Sequence, residues 1–310
     1  MNTTPGGRLP AYDELPVRAG LPPRSSWGLW GDDDVLGCLN LLTPARALRA
    51  AASIRTGRSF PLGLDLTVPD PPLYGRRPLR HRISGEPGAT HDDVLDDFNT
   101  QSSAQWDGFR HFPHREHGFY NGLAGDAHGI DHWAVRGIVG RAVLLDLDRW
   151  RASIGRPLRQ GEPDPLRGHE LDRCTADQGC EIETGDILLL RTGWLTWYRA
   201  LPPDERVAYA NHGASPGIAG PEMPAWLWDH HVSAVIADNP AVEMIPAQPG
   251  LGFLHPQALP LLGLPLGEMW DLDALAADCA AEGTFDSFFV SAPVHLPHGV
   301  ASPPNAIAIR

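Results

Sequence analysis

Apolar residues in this chain gather into short, largely apolar runs at 142–147, 187–191, 232–237 and 288–292. Runs of this length, apolar at odd and even positions alike, predict strands buried on both faces, as at the centre of a covered sheet. The closing segment Asn305-Ala-Ile-Ala-Ile-Arg310 predicts a last strand. Residues 222–231 and 272–281 carry helical spacing. Residues 44–55 predict a further helix, with Thr43 as N-cap, Pro44 in the first turn and Gly57 just past the end. Strands therefore alternate with helices, and a single α/β domain is expected over residues 27–310, preceded by an N-terminal extension over 1–26. The 31 prolines and 33 glycines are spread throughout, which predicts ordered loops between elements and no single linker.

One polar segment breaks the apolar pattern: Gln101-Ser-Ser-Ala-Gln105-Trp-Asp107-Gly-Phe-Arg-His111. Side chains alternate across an extended chain, so an extended segment here aims Gln101, Gln105, Asp107 and His111 to one side. Two amides, a carboxylate and an imidazole on one face suit a metal site or an acid/base site. A lone histidine is more often a satisfied core residue; the alternation around His111 favours function. In the loop that follows, His114 and His117 have charged neighbours and read as solvated. Asp126 and His128 are open to the pocket, while Asp131 and His132 read as helix capping.

Composition narrows the chemistry. The 25 basic residues are all arginine, which excludes a lysine Schiff base and the lysine of a phosphate-binding P-loop. Against 38 acidic residues they leave a formal charge of −13, so nucleic acid is not an expected partner. No run approaches the ~18 apolar residues of a membrane span, and the first twenty residues lack a signal-like apolar core, so a cytoplasmic location is expected. Cys38, Cys174, Cys180 and Cys279 have no Cys-x-x-Cys spacing and read as free thiols. Gly213-Ala-Ser215-Pro-Gly217 matches the Gly-x-Ser-x-Gly pattern of a nucleophile elbow. Pro216, however, has no N–H for an oxyanion hole, so the segment reads as a turn.

Three further segments carry a resemblance. Trp30-Gly-Asp-Asp-Asp-Val-Leu-Gly37 with Leu39-Asn-Leu-Leu-Thr-Pro44, then Gly185-Asp-Ile-Leu-Leu-Leu-Arg-Thr-Gly-Trp194, then Gly267-Glu-Met-Trp-Asp-Leu272 resemble, in order, segments of the cyclase family. This is the family of metal-dependent hydrolases that includes bacterial kynurenine formamidase and isatin hydrolase. The match runs from about Trp27 to the C-terminus, and the combination is more specific than any one motif. The resemblance implies a swivelling β/β/α-type α/β fold and a homo-oligomer, dimer or tetramer. It also implies an arylformamidase-like hydrolase that cleaves an amide, formamide, lactam or lactone bond of a small aromatic or cyclic metabolite. In that chemistry a metal-bound water is the nucleophile and His111 the proton shuttle.

The family signature is His-x-Gly-Thr-His-x-Asp-x-Pro-x-His, whose first two histidines and aspartate bind metal and whose last histidine transfers protons. Laid on this chain, the ligand histidines fall on Gln101 and Gln105, the aspartate on Asp107, the proline on Phe109 and the last histidine on His111. The later histidine and glutamate that complete the family's metal site correspond to His255 and Glu268. Independently of the family, Glu268 follows the apolar Leu-Pro-Leu-Gly, and a carboxylate entering a buried region needs a cation or a donor. An amide oxygen is a weaker and harder ligand than imidazole. A single divalent ion, zinc or manganese, held by Asp107, His255 and Glu268 with Gln101 and Gln105 nearby, is therefore expected, weakly loaded or absent. Without an ion, Asp107 and His111 make a lyase, dehydratase or cyclase site, or the pocket only binds a small molecule. Aromatics in the same segments, Trp27, Trp30, Trp106, Phe109, Phe112, Phe119, Tyr120 and Trp270, predict an apolar pocket. Trp27, Trp106, Phe112, Tyr120 and the adjoining Asn121 are the candidate substrate contacts.

Overall fold

The apolar runs form the middle of a large sheet. The computed structural model describes residues 8–86 and 88–310. Its strands are β1 (Ser59–Pro61), β2 (Arg80–Ser84), β3 (Asp92–Asp96), β4 (Gln105–Asp107), β5 (Ile138–Asp146), β6 (Pro165–Leu166), β7 (Ile187–Arg191), β8 (Gly217–Ile218), β9 (Ala234–Ala237), β10 (Leu266–Glu268), β11 (Asp286–Ser291), β12 (Ala301–Ser302) and β13 (Ala306–Ile309). Nine of them make one mixed sheet in the order β1-β13-β11-β5-β7-β9-β10-β4-β12. From β5 to β10 neighbours run parallel, and outward from there every pairing is antiparallel. Successive residues of β7 and β9, such as Leu188, Leu189, Val235 and Ile236, are all buried. Both faces of the sheet centre are covered, which explains why these strands read as largely apolar runs.

Helices flank the strands as the alternation predicted. Pro44–Ala50 is α-helical, with the Thr43 hydroxyl accepting from the Arg46 N–H at 3.3 Å, and it tightens into a 3₁₀ turn over Ala51–Ser53. The helix thus ends a turn earlier than the sequence spacing suggested. Met223–Asp229 and Asp273–Glu282 fall in the other two predicted helical stretches. This is the mixed α/β class expected from the sequence. The four cysteines are free, and no described helix is long and apolar enough to cross a membrane.

Residues 1–7 of the N-terminal extension lie outside the described residues. The remainder lies on the domain surface and enters its core. Leu15 is buried in the main cluster, the Trp228 indole donates to the Pro10 carbonyl at 2.9 Å, and the Ser26 N–H donates to Leu261 at 2.9 Å. Strands β2 and β3 form a separate charged ribbon, tied by Arg82 to Asp96 at 2.7 Å. It leaves and rejoins the body between Arg76 and Gln101.

Candidate active site

Strand β4 lies between β10 and β12, and its register with β10 decides what meets what. Gln105 stands opposite Glu268, and Asp107 opposite Leu266. Cross-strand neighbours share a face, and so do residues two apart on one strand. Gln105, Asp107 and Glu268 therefore project together. The Gln105 amide donates to Glu268 Oε2 at 2.8 Å and to Asp107 Oδ1 at 3.1 Å, bridging the two carboxylates. Trp106, between them, points the other way, and its ring lies 4.9 Å from that of Trp270.

The extended run expected over 101–111 holds only for 105–107. Before it, Asn99 folds the chain into a turn, its side-chain oxygen accepting from the Gln101 N–H at 2.9 Å and its carbonyl from the Ser102 hydroxyl at 2.8 Å. After it, the His111 N–H closes onto the Gly108 carbonyl at 2.9 Å. Gly108 is required there because a Cβ would come within 2.8 Å of the Val300 carbonyl. The turns bring both ends back over the strand. Gln101 Nε2 donates to Asp107 Oδ1 at 2.8 Å and lies 3.1 Å from His111 Nδ1, and His111 Nε2 lies 3.8 Å from Asp107 Oδ2.

His255 arrives from the far side, in the helical turn His255–Gln257. Its Nε2 is 3.1 Å from Glu268 Oε1 and 3.6 Å from Asp107 Oδ2, while its Nδ1 is 2.5 Å from Glu243 Oε1. Glu243 also accepts from the backbone N–H groups of Leu254, at 2.5 Å, and His255, at 3.1 Å. That carboxylate fixes both the turn and the ring. The sequence reading passed over Glu243, although a lone carboxylate inside Ala241-Val-Glu-Met-Ile245 carries the desolvation signal that singled out Glu268.

Burial shapes the charges. It pushes the Glu268 carboxyl up to about 8, with the neighbouring Asp107 charge adding to the effect. For Asp107 burial acts upward too, but the contacts with His255 and the His111 charge outweigh it, and the net shift is downward. Burial opposes a charge on His255, yet Asp107, Glu243 and Glu268 together raise its pKa well above the ordinary value. His111 is pushed down by burial, against the pull of Asp107. Two buried atoms, Asp107 Oδ2 and Gln105 Oε1, have no hydrogen-bond partner. One ligand atom each of Asp107, His111 and His255 lie within 4.8 Å of one another. An unpartnered carboxylate oxygen beside two imidazoles fits a divalent cation.

The chain brings Gln101, Gln105, Asp107, His111, His255 and Glu268 together. Of the candidate substrate contacts, only Phe112 lies at this cluster, its ring 5.8 Å from that of His255. Trp106 is in the core on the opposite sheet face. Trp27 donates to the Pro260 carbonyl at 2.7 Å and packs on Gly122. The Tyr120 hydroxyl, buried, donates to Asp34 at 3.1 Å. Asn121, with φ at 57°, ties its loop to Gly28, Gly31 and Asp34. These four act as structural clasps because their polar atoms are used on backbone and side-chain partners away from the cluster. His128 is likewise taken up by the Tyr120 carbonyl at 2.8 Å, and His114 stacks on His117 with ring centroids 4.7 Å apart. Ser215 is buried and pairs with Ile245 in extended backbone, as expected of a segment that is no nucleophile elbow. A cleft of about 630 Å³ opens elsewhere, beside Arg46, Arg55, Arg141, Asp186 and Asp286. Its charges neutralise each other, with Arg55 and Arg141 at 2.9 and 3.1 Å from Asp286 and Asp186.

Residues 61–244 match the model of the cyclase family, described as "Putative cyclase". The chain belongs to the cyclase family. A crystal structure described as a novel cyclase of this family is 32% identical, with 92% of this chain and 99% of that chain covered and a TM-score of 0.82. Isatin hydrolase A from Ralstonia solanacearum is 18% identical over 86% of this chain and 98% of its own, with a TM-score of 0.61. A "predicted metal-dependent hydrolase" from Bacillus stearothermophilus is 16% identical over 82% of this chain and 98% of its own, with a TM-score of 0.52. These last two share the cyclase fold with this chain. No curated protein matched it.

Proposed function

We propose that this cyclase-family chain is a metal-dependent hydrolase that opens an amide, formamide, lactam or lactone bond of a small aromatic or cyclic molecule. The observation that carries the reading is the unpartnered, buried Asp107 Oδ2, 3.6 Å from His255 Nε2 and 3.8 Å from His111 Nε2. The relatives described as isatin hydrolase and as a metal-dependent hydrolase lend it support. His255 Nε2, Asp107 Oδ2 and Glu268 would hold the ion, zinc or manganese. Glu243 keeps the His255 proton on Nδ1 and so leaves Nε2 to bind, the usual arrangement for a ligand histidine. When bound, such an ion supplies Lewis acidity, which activates water and polarises a carbonyl.

The remaining residues position and move protons. Gln101 donates to His111 Nδ1, so a neutral His111 carries its proton on Nε2, the nitrogen facing Asp107. It delivers a proton to a leaving nitrogen or oxygen only after taking one up from the attacking water, that is, as the imidazolium. Its side chain retains 25% of its exposure while those of Asp107, His255 and Glu268 retain 5% or less, which makes it the member of the cluster a substrate meets first. Phe112 and Phe253, with rings 5.6 Å apart, give that approach an apolar wall.

A second reading draws on Gln105. Its amide already bridges Asp107 and Glu268, the position in which a cation would offset their repulsion. Chemistry would then run on Asp107 and His111 alone, as a lyase, dehydratase or cyclase. Chelation separates the two. Turnover lost on exhaustive EDTA treatment and restored by manganese or zinc is expected from the first reading, and turnover that survives metal removal from the second.

A further inference from the structure

Arg76 belongs to a turn that the sequence reading left aside. Tyr74, in the 3₁₀ turn Leu73–Gly75, has φ 61° and ψ 29°, a left-handed conformation that bulky residues rarely adopt and that clusters at functional positions. Its N–H is held by the Ala210 carbonyl at 3.1 Å, and its hydroxyl sits over Gly213, where a Cβ would come within 2.7 Å. The turn carries Arg76 onto the site. Its Nη1 donates to the Gln101 carbonyl at 2.5 Å, and its guanidinium lies 5.5 Å from the Tyr74 ring centroid. The side chain of the same Gln101 contacts Asp107 and His111.

What Arg76 does not do is the informative part. It is half-buried, yet among the described residues no carboxylate comes within the 4.0 Å of an ion pair, and its contact with Gln101 uses one of its five N–H donors. Burial dominates the titration of both His111 and Glu268, and the Arg76 charge acts on each of them as well. A positive fork thus stands at the rim of the cluster with donors to spare. A planar two-oxygen anion matches that fork, and a neutral amide does not.

We propose that Arg76 anchors a carboxylate carried by the substrate beside the bond that is cleaved, so that the enzyme acts on small acidic molecules. The proposal rests on the reading of this cluster as a small-molecule active site and does not depend on the ion.

The test is calorimetric titration of the metal-stripped full chain with benzoate and with benzamide, which share size and ring and differ in charge. Stripping the metal removes an ion that could itself capture benzoate, and the Arg76 variants separate the Arg76 charge from that of His255. Benzoate is expected to bind at least about tenfold tighter, a difference of about 1.4 kcal/mol. Arg76→Gln, which keeps a donor for the Gln101 carbonyl, should erase that preference without lowering benzamide affinity, and Arg76→Lys should retain part of it. Equal affinity for the two probes, no measurable benzoate binding, or an unchanged preference in Arg76→Gln overturns the proposal. Should Arg76→Gln fail to fold, Arg76→Lys decides: a preference reduced but not lost supports the proposal, and an unchanged one overturns it. A charge preference that survives alongside turnover indifferent to chelation would leave Arg76 in place and remove only the metal-dependent reading.

Discussion

The two faces of the β4/β10 pair are built from neighbouring residues, equally buried, and they do opposite things. On one face Trp106 and Trp270 pack edge to face, and each indole N–H is satisfied: Trp106 on the Ser291 hydroxyl at 2.9 Å, Trp270 on the Gln105 carbonyl at 2.8 Å. On the other, Gln105, Asp107 and Glu268 crowd two carboxylates together and leave Asp107 Oδ2 and Gln105 Oε1 without partners. Aromatic burial with satisfied donors stabilises, whereas buried polar atoms left unpaired cost free energy. One strand pair thus holds the fold with its tryptophan side and sacrifices stability for chemistry with its polar side. Rigidity supplied by the tryptophans is what allows the polar face to stay open for an ion and a substrate.

The sharpest way to break this contrast is to change one residue on each face. Asp107→Asn should lower turnover on the order of a thousandfold, roughly 4 kcal/mol on the barrier. Its thermal unfolding should stay unchanged or rise slightly, because Glu243 and Glu268 still face His255. Trp106→Ala should do the reverse in kind, costing about 3–5 kcal/mol in urea denaturation. In the milder Trp106→Phe, losing the bond to Ser291 costs about 1 kcal/mol, with activity retained. If Asp107→Asn unfolds as readily as Trp106→Ala, the division of labour between the faces is wrong.

A smaller effect sharpens the polar side. Glu243 touches neither a reacting group nor, on this account, the ion; it orients His255. Glu243→Gln should weaken metal binding by roughly 10–100-fold, read as a shift in the manganese titration midpoint. Unaltered metal affinity would reduce Glu243 to a cap on the turn at Leu254 and His255.

The same contrast explains what the sequence disclosed. Central strands were legible because both faces of β7 and β9 are buried and every residue but Arg191 is apolar, and the helix at Pro44 was legible because Thr43 caps it locally. Asp107, His111, His255 and Glu268 were legible as site candidates, although the route was not: Asn99 and Gly108 turn the chain where alternation predicted a straight run. Trp106 was misplaced into the pocket because alternation alone does not say which face is the core. Tyr120 and Asn121 were misplaced because their partners, Asp34 and the glycines near it, are distant in sequence. Arg76 was invisible because its position depends on a left-handed tyrosine and on the β2/β3 ribbon that separates it from Gln101.

The central claim is that the polar face, closed by His255, takes up one divalent cation at the cost of protons already held there. Burial opposes a charge on His255, but its contacts with Asp107, Glu243 and Glu268 outweigh it and raise its pKa. Burial likewise holds Glu268 up at about 8. Below pH 8 the Glu268 proton must leave for an ion to bind, and the raised pKa of His255 acts in the same direction, so affinity should fall as pH is lowered from 9 to 6, about tenfold per pH unit for each proton displaced. Calorimetric titration of the metal-stripped chain with manganese, repeated in buffers of different ionisation heat, measures this directly. The account predicts one ion per chain, with net proton release at pH 7 and uptake abolished in Asp107→Asn. Full turnover with no ion bound and no proton released, or two ions held tightly at every pH, would contradict it.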